Sequence, residues 1–227
     1  MVIAIDGPAG SGKSTVARLV AKRLGFTYLD TGAIYRSLAW LAKENEVAWD
    51  DEDALVRLCR EMRIEFGENG RVVVNGFDVT NSIRTEDMGQ GASKVASHPG
   101  VREALLELQR RFGEKGNLVA EGRDMGTVVF PGAQLKVFLV ASVRERAKRR
   151  WRELKRRGVS PLPLLAEIER MIEERDRQDS KRKTAPLKKA EDALELDTTG
   201  LSIEEVVDRI VEWANVGLKE RDLGGEA

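Results

Sequence analysis

Gly7-Pro8-Ala9-Gly10-Ser11-Gly12-Lys13-Ser14 fits the pattern G-x-x-x-x-G-K-[ST] at every fixed position. Glycines in such a run let successive backbone N–H groups curl around phosphate oxygens, and the helix that follows adds partial positive charge at its start. Lys13 is placed to reach the outer phosphates, the Ser14 hydroxyl can ligate Mg²⁺, and Thr15 completes the entry into the helix. The expected ligand is a nucleoside triphosphate. This reading requires a strand before the loop and a helix behind it. Val2 to Ile5 is a β-branched run, and Ser14 to Leu24 has helical composition, so both flanks are met.

A triphosphate site leaves ATPase, GTPase, small-molecule kinase and nucleotide kinase open. What receives the phosphoryl group must decide. Arg36, Arg102, Arg123, Arg175 and Arg182 each fall near the end of a predicted element or in a loop, where a planar guanidinium can grip a pair of anionic oxygens. A single arginine of this kind is ordinarily a solvated surface charge. Five of them point to an acceptor that carries its own phosphate. An alcohol acceptor generally needs a base, whereas a phosphate monoester, with a second pKa of about 6, is largely dianionic near neutral pH. No dedicated base is then needed, and the task becomes screening two phosphates from each other while holding them in line. The lone histidine, His98, precedes Pro99 and reads as a helix-entry residue, and Cys59, within an apolar helical run, reads as packing.

The elements that must position these groups alternate. Short apolar runs at 2–5, 28–29, 118–120, 136–140 and 193–196 are separated by helical patterns, which predicts an α/β fold with a central parallel sheet flanked by helices. A last helix over about 203–219 opens with the capping box Ser202-x-x-Glu205. One region breaks the alternation: Arg63 to Phe66, Arg71 to Val74 and Phe77 to Thr80 are separated by Asn69-Gly70 and Asn75-Gly76, the signature of an antiparallel meander. Residues of about 62–95 are therefore predicted to be an inserted antiparallel β/α domain, with 1–61 and 96–227 as the core. A second unusual stretch, Val143 to Arg182, reads as two charged helices joined by the bend Ser160-Pro161-Leu162-Pro163. On the second helix, Ile168, Met171 and Ile172 form an apolar stripe whose continuation carries Arg175 and Asp179, with Arg182 close behind.

Composition excludes several classes. With 38 basic and 38 acidic residues the formal net charge is zero, so a polycation reading fails and nucleic acid is not the expected partner. The basic run from Arg144 to Arg157 holds one aromatic, Trp151, and is interrupted by Glu145 and Glu153, which fits closure over a nucleotide better than an RNA surface. Arg149 is a candidate contact to the donor nucleotide, although helical phase alone does not separate it from Arg150. No apolar run approaches the roughly 18 residues of a membrane span, and no signal peptide is evident at the N-terminus. One cysteine rules out an intramolecular disulfide framework and fits a reducing cytoplasm.

Four blocks are more specific than the phosphate loop. Ile5-Asp6-Gly7-Pro8, Leu29-Asp30-Thr31-Gly32-Ala33-Ile34-Tyr35-Arg36, Glu121 to Pro131 (EGRDMGTVVFP) and Glu174-Arg175-Asp176-Arg177-Gln178-Asp179 together resemble the bacterial cytidylate kinases over almost the whole chain. The resemblance implies a P-loop kinase core, a helical lid at about 143–183 and an enlarged nucleotide-monophosphate domain at about 62–95. It implies transfer of the γ-phosphoryl group of ATP to CMP or dCMP, with Mg²⁺, by a cytoplasmic monomer acting on small molecules alone. It assigns the acceptor phosphate to Thr31, Tyr35, Arg36 and Arg123, the cytosine to Ser93, Arg102 and Asp124, the ribose to Arg175 and Asp179, and a phosphate contact from the lid to Arg182. Lys13, Arg123, Arg175 and Arg182 become the catalytic set. Some members of the family have serine where this chain has Thr31, which keeps the hydroxyl and adds a methyl beside the phosphate. Cytosine offers an N4 donor beside N3 and O2 acceptors, which a carboxylate, a hydroxyl and an arginine complement, so CMP is expected over UMP. Two alternatives stand: an alcohol-phosphorylating kinase with Asp30 or Asp124 as base, and a nucleotide-binding module whose basic hairpin lies on RNA.

Overall fold

The structure, a computed structural model, describes residues 1–67, 70–114 and 116–224, with side chains as far as residue 217. Two units divide the chain, one formed by Met1–Leu29 and Gly113–Ala227, the other by Asp30–Phe112.

In the first unit β1 (Val2–Asp6) leads through the phosphate loop into α1 (Lys13–Leu24), and β2 (Thr27–Asp30) follows. The second unit holds α2 (Thr31–Glu44), α3 (Glu52–Glu61), β3 (Ile64–Phe66), β4 (Val72–Val74), β5 (Phe77–Asp78), α4 (Glu86–Val95) and α5 (Pro99–Glu114), whose last turn runs past the boundary. The chain then returns to the first unit with β6 (Leu118–Gly122), β7 (Leu135–Val140), α6 (Val143–Arg156), α7 (Leu165–Lys181), β8 (Leu194–Asp197) and α8 (Ile203–Gly224).

The central sheet has the order β2-β6-β1-β7-β8. β6 and β7 flank β1 in parallel, Val2 opposite Leu118 and Ile3 opposite Leu135, and β8 joins β7 in parallel. A strand covered on both faces has no reason to alternate, and this is why β1 and β7 read as continuous apolar runs. Ile3, Ile5 and Leu139 are fully buried and share one core with Val16 and Val20 of α1 and with Val206, Val207 and Ile210 of α8. Truncating Ile5 to alanine would cost about 2–5 kcal/mol by loss of transfer energy and formation of a cavity. Gly25, with φ +69°, ends α1, and the Phe26 N–H closes the turn on Ala21 O at 2.8 Å. The capping box of α8 is reciprocal: Glu205 N–H donates to Ser202 Oγ at 3.2 Å and Ser202 N–H to Glu205 Oε2 at 2.8 Å.

In the second unit β3 and β4 pair antiparallel, Ile64 opposite Val74, and β4 pairs with β5, Val74 opposite Phe77. Asn75 (φ +50°) and Gly76 (φ +86°) make the second expected Asn-Gly turn, which needs positive φ at both central positions. Of the first, Asn69 lies outside the described residues. The meander buries Val72 and Val74 and leaves Phe77 exposed, so one face is covered. This unit extends beyond residues 62–95 on both sides. Gly91 of α4 shows how closely the helices of this unit pack: a Cβ there would lie 2.6 Å from the Trp49 ring and 2.9 Å from Ala39 of α2. His98 sits just ahead of α5, its Nε2 2.9 Å from Trp49 O, and Cys59 is buried in α3, where desolvation pushes its thiol up to about 12. Among the described residues no helix is long and apolar enough to cross a membrane.

Candidate active site

The phosphate loop starts where β1 ends. Gly7 has φ +148°, and a Cβ there would lie 2.2 Å from Leu139 O of the adjacent β7, so the loop leaves the sheet by a path open only to glycine. Gly12, at φ +96°, turns the chain into α1. Lys13 is buried, its Nζ 2.6 Å from Pro8 O and 3.4 Å from Ser11 Oγ. Desolvation pulls its pKa down to about 7, and the nearby Arg123 charge acts in the same direction. Ser14 Oγ donates to Glu121 Oε1 at 2.5 Å, and Tyr28 Oη donates to the same oxygen at 3.3 Å. Glu121, buried at the end of β6, was visible only as a letter in the Gly-Arg-Asp block, because nothing in the spacing says that β6 lies beside β1.

The segment after β6 carries Arg123 and Asp124 and then winds through a π-type turn, Met125–Val129. Asp6, at the end of β1, holds that turn by accepting from Met125 N–H at 2.9 Å and Gly126 N–H at 2.8 Å. Burial pushes the Asp6 carboxyl up to about 6 against the lowering effect of those two donors. Arg123 Nε donates to Asp179 Oδ2 of α7 at 2.8 Å. Burial opposes charge on both partners. The Asp179 carboxylate nonetheless holds the guanidinium above its ordinary value, and Arg123, Arg175 and Arg182 hold Asp179 below the usual carboxylate range. Arg182 lies 3.8 Å from both Asp179 and Asp124, and its Nε donates to Ala185 O at 2.6 Å. The structure thus brings Lys13, Arg123, Asp124, Asp179 and Arg182 into one electrostatic cluster, with Arg175 acting on both Lys13 and Asp179. Helical spacing puts Asp179 on the face of Arg175, and the docking of α7 adds the buried ion pair with Arg123. The stripe on α7 is also narrower than expected. Ile168 and Ile172 are buried but Met171 is 47% exposed, because it falls on the flank of the 168-172-175-179 line.

Two arginines of α6 reach the loop. Arg149 Nη1 donates to Ser11 O at 3.2 Å and Thr198 Oγ1 at 3.0 Å, and its Nη2 donates to Thr198 O at 2.7 Å. Arg150 instead pairs with Glu153 at 3.0 Å, so the geometry separates two residues that helical phase does not. Arg146 is buried, with Nη1 3.0 Å from Ala9 O and 2.7 Å from Asp176 Oδ2. Sequence reasoning missed Arg146 and Thr198. One is a single basic residue among many on its helix, and the other is an ordinary threonine after a strand.

The second unit holds the remaining candidates. Asp30 caps α2, accepting from Ala33 N–H at 2.9 Å, and its other oxygen takes Arg36 Nη2 at 2.9 Å. Thr31, in the first turn of α2, and Tyr35 are buried. The Arg102 guanidinium stands 5.4 Å over the Tyr35 ring, and its Nη1 donates to Ala96 O at 3.4 Å. Ser93 is half-buried on α4. Tyr35 with Arg102, and Asp30 with Arg36, are therefore brought together within this unit.

A family model described as cytidylate kinase matches residues 3–216. A cytidylate kinase of Geobacillus sp. is 54% identical over 216 residues, 94% of this chain and 96% of that protein. One of Geobacter sp. is 47% identical over 227 residues, 99% of this chain and 97% of that protein. A bifunctional pantoate ligase/cytidylate kinase of Prochlorococcus marinus is 51% identical over 223 residues, which are 96% of this chain and 46% of that protein's length. Among solved structures, an uncharacterized protein from Eubacterium ventriosum aligns with a TM-score of 0.53 and 13% identity, over 95% of this chain and 98% of that one, a likeness of fold.

Proposed function

Because the chain belongs to the cytidylate kinase family, we propose that the buried cation cluster around Lys13 and Arg123 carries the transfer of the γ-phosphoryl group from ATP to CMP that defines its activity. The observation behind this is that the ends of two adjacent parallel strands, β1 and β6, deliver the phosphate loop and the Arg123-Asp124 pair beside each other.

The donor lies on the loop. The loop Gly7 to Thr15 receives its phosphates through its backbone N–H groups, which every residue but Pro8 offers, and through the start of α1; Lys13 leaves Pro8 O and Ser11 Oγ for a phosphate oxygen, and Arg149 contacts the nucleotide from α6. A bound polyanion raises the pKa of Lys13 and restores its charge when it is needed. Arg123, Arg175 and Arg182 offset the charge that spreads over the transferring group. In the free protein Asp179 and Asp124 hold these forks in a partly desolvated place, so little reorganisation remains when phosphate takes over. Residues suited to Mg²⁺ are present: the Ser14 hydroxyl, with the Glu121 carboxylate 2.5 Å from it, offers oxygen donors only, as a hard cation requires. When bound, Mg²⁺ would supply charge neutralisation between the β- and γ-phosphates.

The acceptor phosphate is taken by Thr31, Tyr35, Arg36 and Arg123, the ribose by Arg175 and Asp179, and the cytosine by Ser93, Arg102 and Asp124. Uracil reverses two of the hydrogen bonds these groups make, at about 1–3 kcal/mol for each one left unpaired in a buried site. The acceptor dianion attacks without a dedicated base. The acceptor is CMP or dCMP, the α6–α7 hairpin acts as the lid, residues 62–95 are the substrate-side insertion, and the protein works as a cytoplasmic monomer with small-molecule partners alone. Its single thiol, buried in α3, suits a reducing compartment. The test is ATP consumption, coupled to a readout and run against a panel of nucleoside monophosphates with Mg²⁺. Turnover with CMP ahead of UMP is expected; ATP binding without turnover of any pyrimidine monophosphate overturns the reading.

A further inference from the structure

We infer that Arg146 is a positioning residue, one that orients the crown of the phosphate loop and ties it to α7 through Asp176. The inference rests on the kinase reading above and deepens it. Arg146 is 4% exposed, and its fork serves three chain segments at once. Nε donates to Ala141 O at 3.0 Å, just before α6; Nη1 donates to Ala9 O at 3.0 Å and pairs with Asp176 Oδ2 at 2.7 Å. Only a planar guanidinium offers donors in these fixed directions; an ammonium keeps the charge and loses the fork.

The contact with Ala9 O bears on catalysis. In a trans peptide the C=O and the N–H point opposite ways, so fixing Ala9 O toward Arg146 directs the Gly10 N–H away from it. Arg149 on Ser11 O does the same for the Gly12 N–H, one turn further along α6. Gly10 itself is pressed against this side chain, since a Cβ there would lie 3.1 Å from Arg146 Cβ. The loop crown thus takes its orientation from the root of the helical hairpin, not from its own sequence alone.

The contact with Asp176 carries the constraint to the acceptor side. Asp176 is the neighbour of Arg175 and stands three residues before Asp179, and its charge also acts on Arg123. Its second oxygen, Oδ1, is buried without a hydrogen-bond partner among the described residues, so Arg146 is the partner that compensates this carboxylate. A shift of α7 moves Asp176, and through Arg146 it pulls on Ala9. One side chain therefore fixes the distance between the donor cradle and the helix that presents Arg175 and Asp179.

The experiment compares wild type, Arg146→Lys, Asp176→Asn and the double variant, measuring kcat and KM for ATP and for CMP together with melting temperature. Arg146→Lys should lower kcat by at least about tenfold while KM for CMP moves less than about threefold, because misplacement by a fraction of an ångström acts on the reacting geometry. Asp176→Asn should reproduce the loss, and the double variant should be no worse than about the poorer single one, the mark of residues acting as a unit. Asp176→Asn is nearly isosteric and settles the matter even if Arg146→Lys fails to fold. Values of kcat within about threefold of wild type in the folded variants, or losses that multiply in the double one, overturn the inference. A wild type without CMP turnover overturns the kinase reading instead.

Discussion

Each unit carries an arginine paired to an aspartate at about the same distance, 2.8 Å for Arg123–Asp179 and 2.9 Å for Arg36–Asp30, yet the surroundings differ. The Asp179 side chain is 9% exposed and is flanked by a second arginine and by the buried Lys13 cluster. Asp30 is 22% exposed and also caps a helix. In the first pair the charges are held out of water, where each supports the other's ionisation and losing one strands the other. In the second, Arg36 and Asp30 are somewhat more exposed, 25% and 22%, and Asp30 keeps its backbone donor when the arginine is lost, so the pair is worth less to stability. The contrast separates two ways of gripping phosphate: a preset charge array for the group in flight, and a looser fork for the group that is merely held.

The largest expected effect sharpens the first half of that contrast. Lys13→Ala should reduce kcat by about 10³-fold, since it removes a preorganised charge from a water-poor place, and steady-state turnover with CMP measures it. Arg123→Ala should lower turnover by about 10²-fold and also lower the melting temperature by about 6–12 °C, because Asp179 is left without its direct partner. A fall in activity with an unchanged melting curve would mean that the pair is wetter than its burial implies. Asp124→Ala should narrow the preference for CMP over UMP by roughly 5- to 100-fold, with KM for ATP little altered, as read from kcat/KM for the two acceptors.

A pH profile probes the same array. Lys13, at about 7 in the fold against an ordinary 10.5, is neutral in the free protein above neutrality, so kcat/KM for ATP should fall toward tenfold per unit as pH rises past about 7. Stability moves the other way: between about 7 and 10.5 the unfolded chain binds a proton that the folded one does not, and unfolding free energy rises with pH across that window. For Asp6, raised from 3.8 to about 6, the folded chain binds the extra proton, and its contribution is lost as pH climbs through that interval. A kcat/KM profile flat from pH 6 to 9 would show Lys13 charged throughout. The smallest effect belongs to the other unit. Arg36→Ala should raise KM for CMP about fivefold while costing about 1–2 kcal/mol of stability, less than Arg123→Ala, by chemical denaturation. A loss as large as that of Arg123→Ala would erase the distinction between the pairs.

What could be read in advance follows a physical line. The phosphate loop was legible because its chemistry depends on consecutive residues, and the strands because burial on both faces leaves continuous apolar runs. Glu121, Arg146 and Thr198 were not, since each earns its place from a neighbour more than 100 residues away in the chain or on another element. Asp179 illustrates the intermediate case. Its face on α7 followed from helical period, whereas its partner Arg123 depends on where α7 is docked, which period does not contain. The extent of the second unit was similarly hidden, because a helix such as α2 shows the same pattern whichever body it packs against.

The position of β1 in the sheet has a consequence for fluctuation. It is flanked on both sides, whereas β2 and β8 form the borders, so its amides should be among the slowest to exchange with deuterium and the borders among the fastest. The strand that ends in the phosphate loop is thus the last to let go. Fraying at the margins can come and go while the anchorage of the reacting groups stays whole.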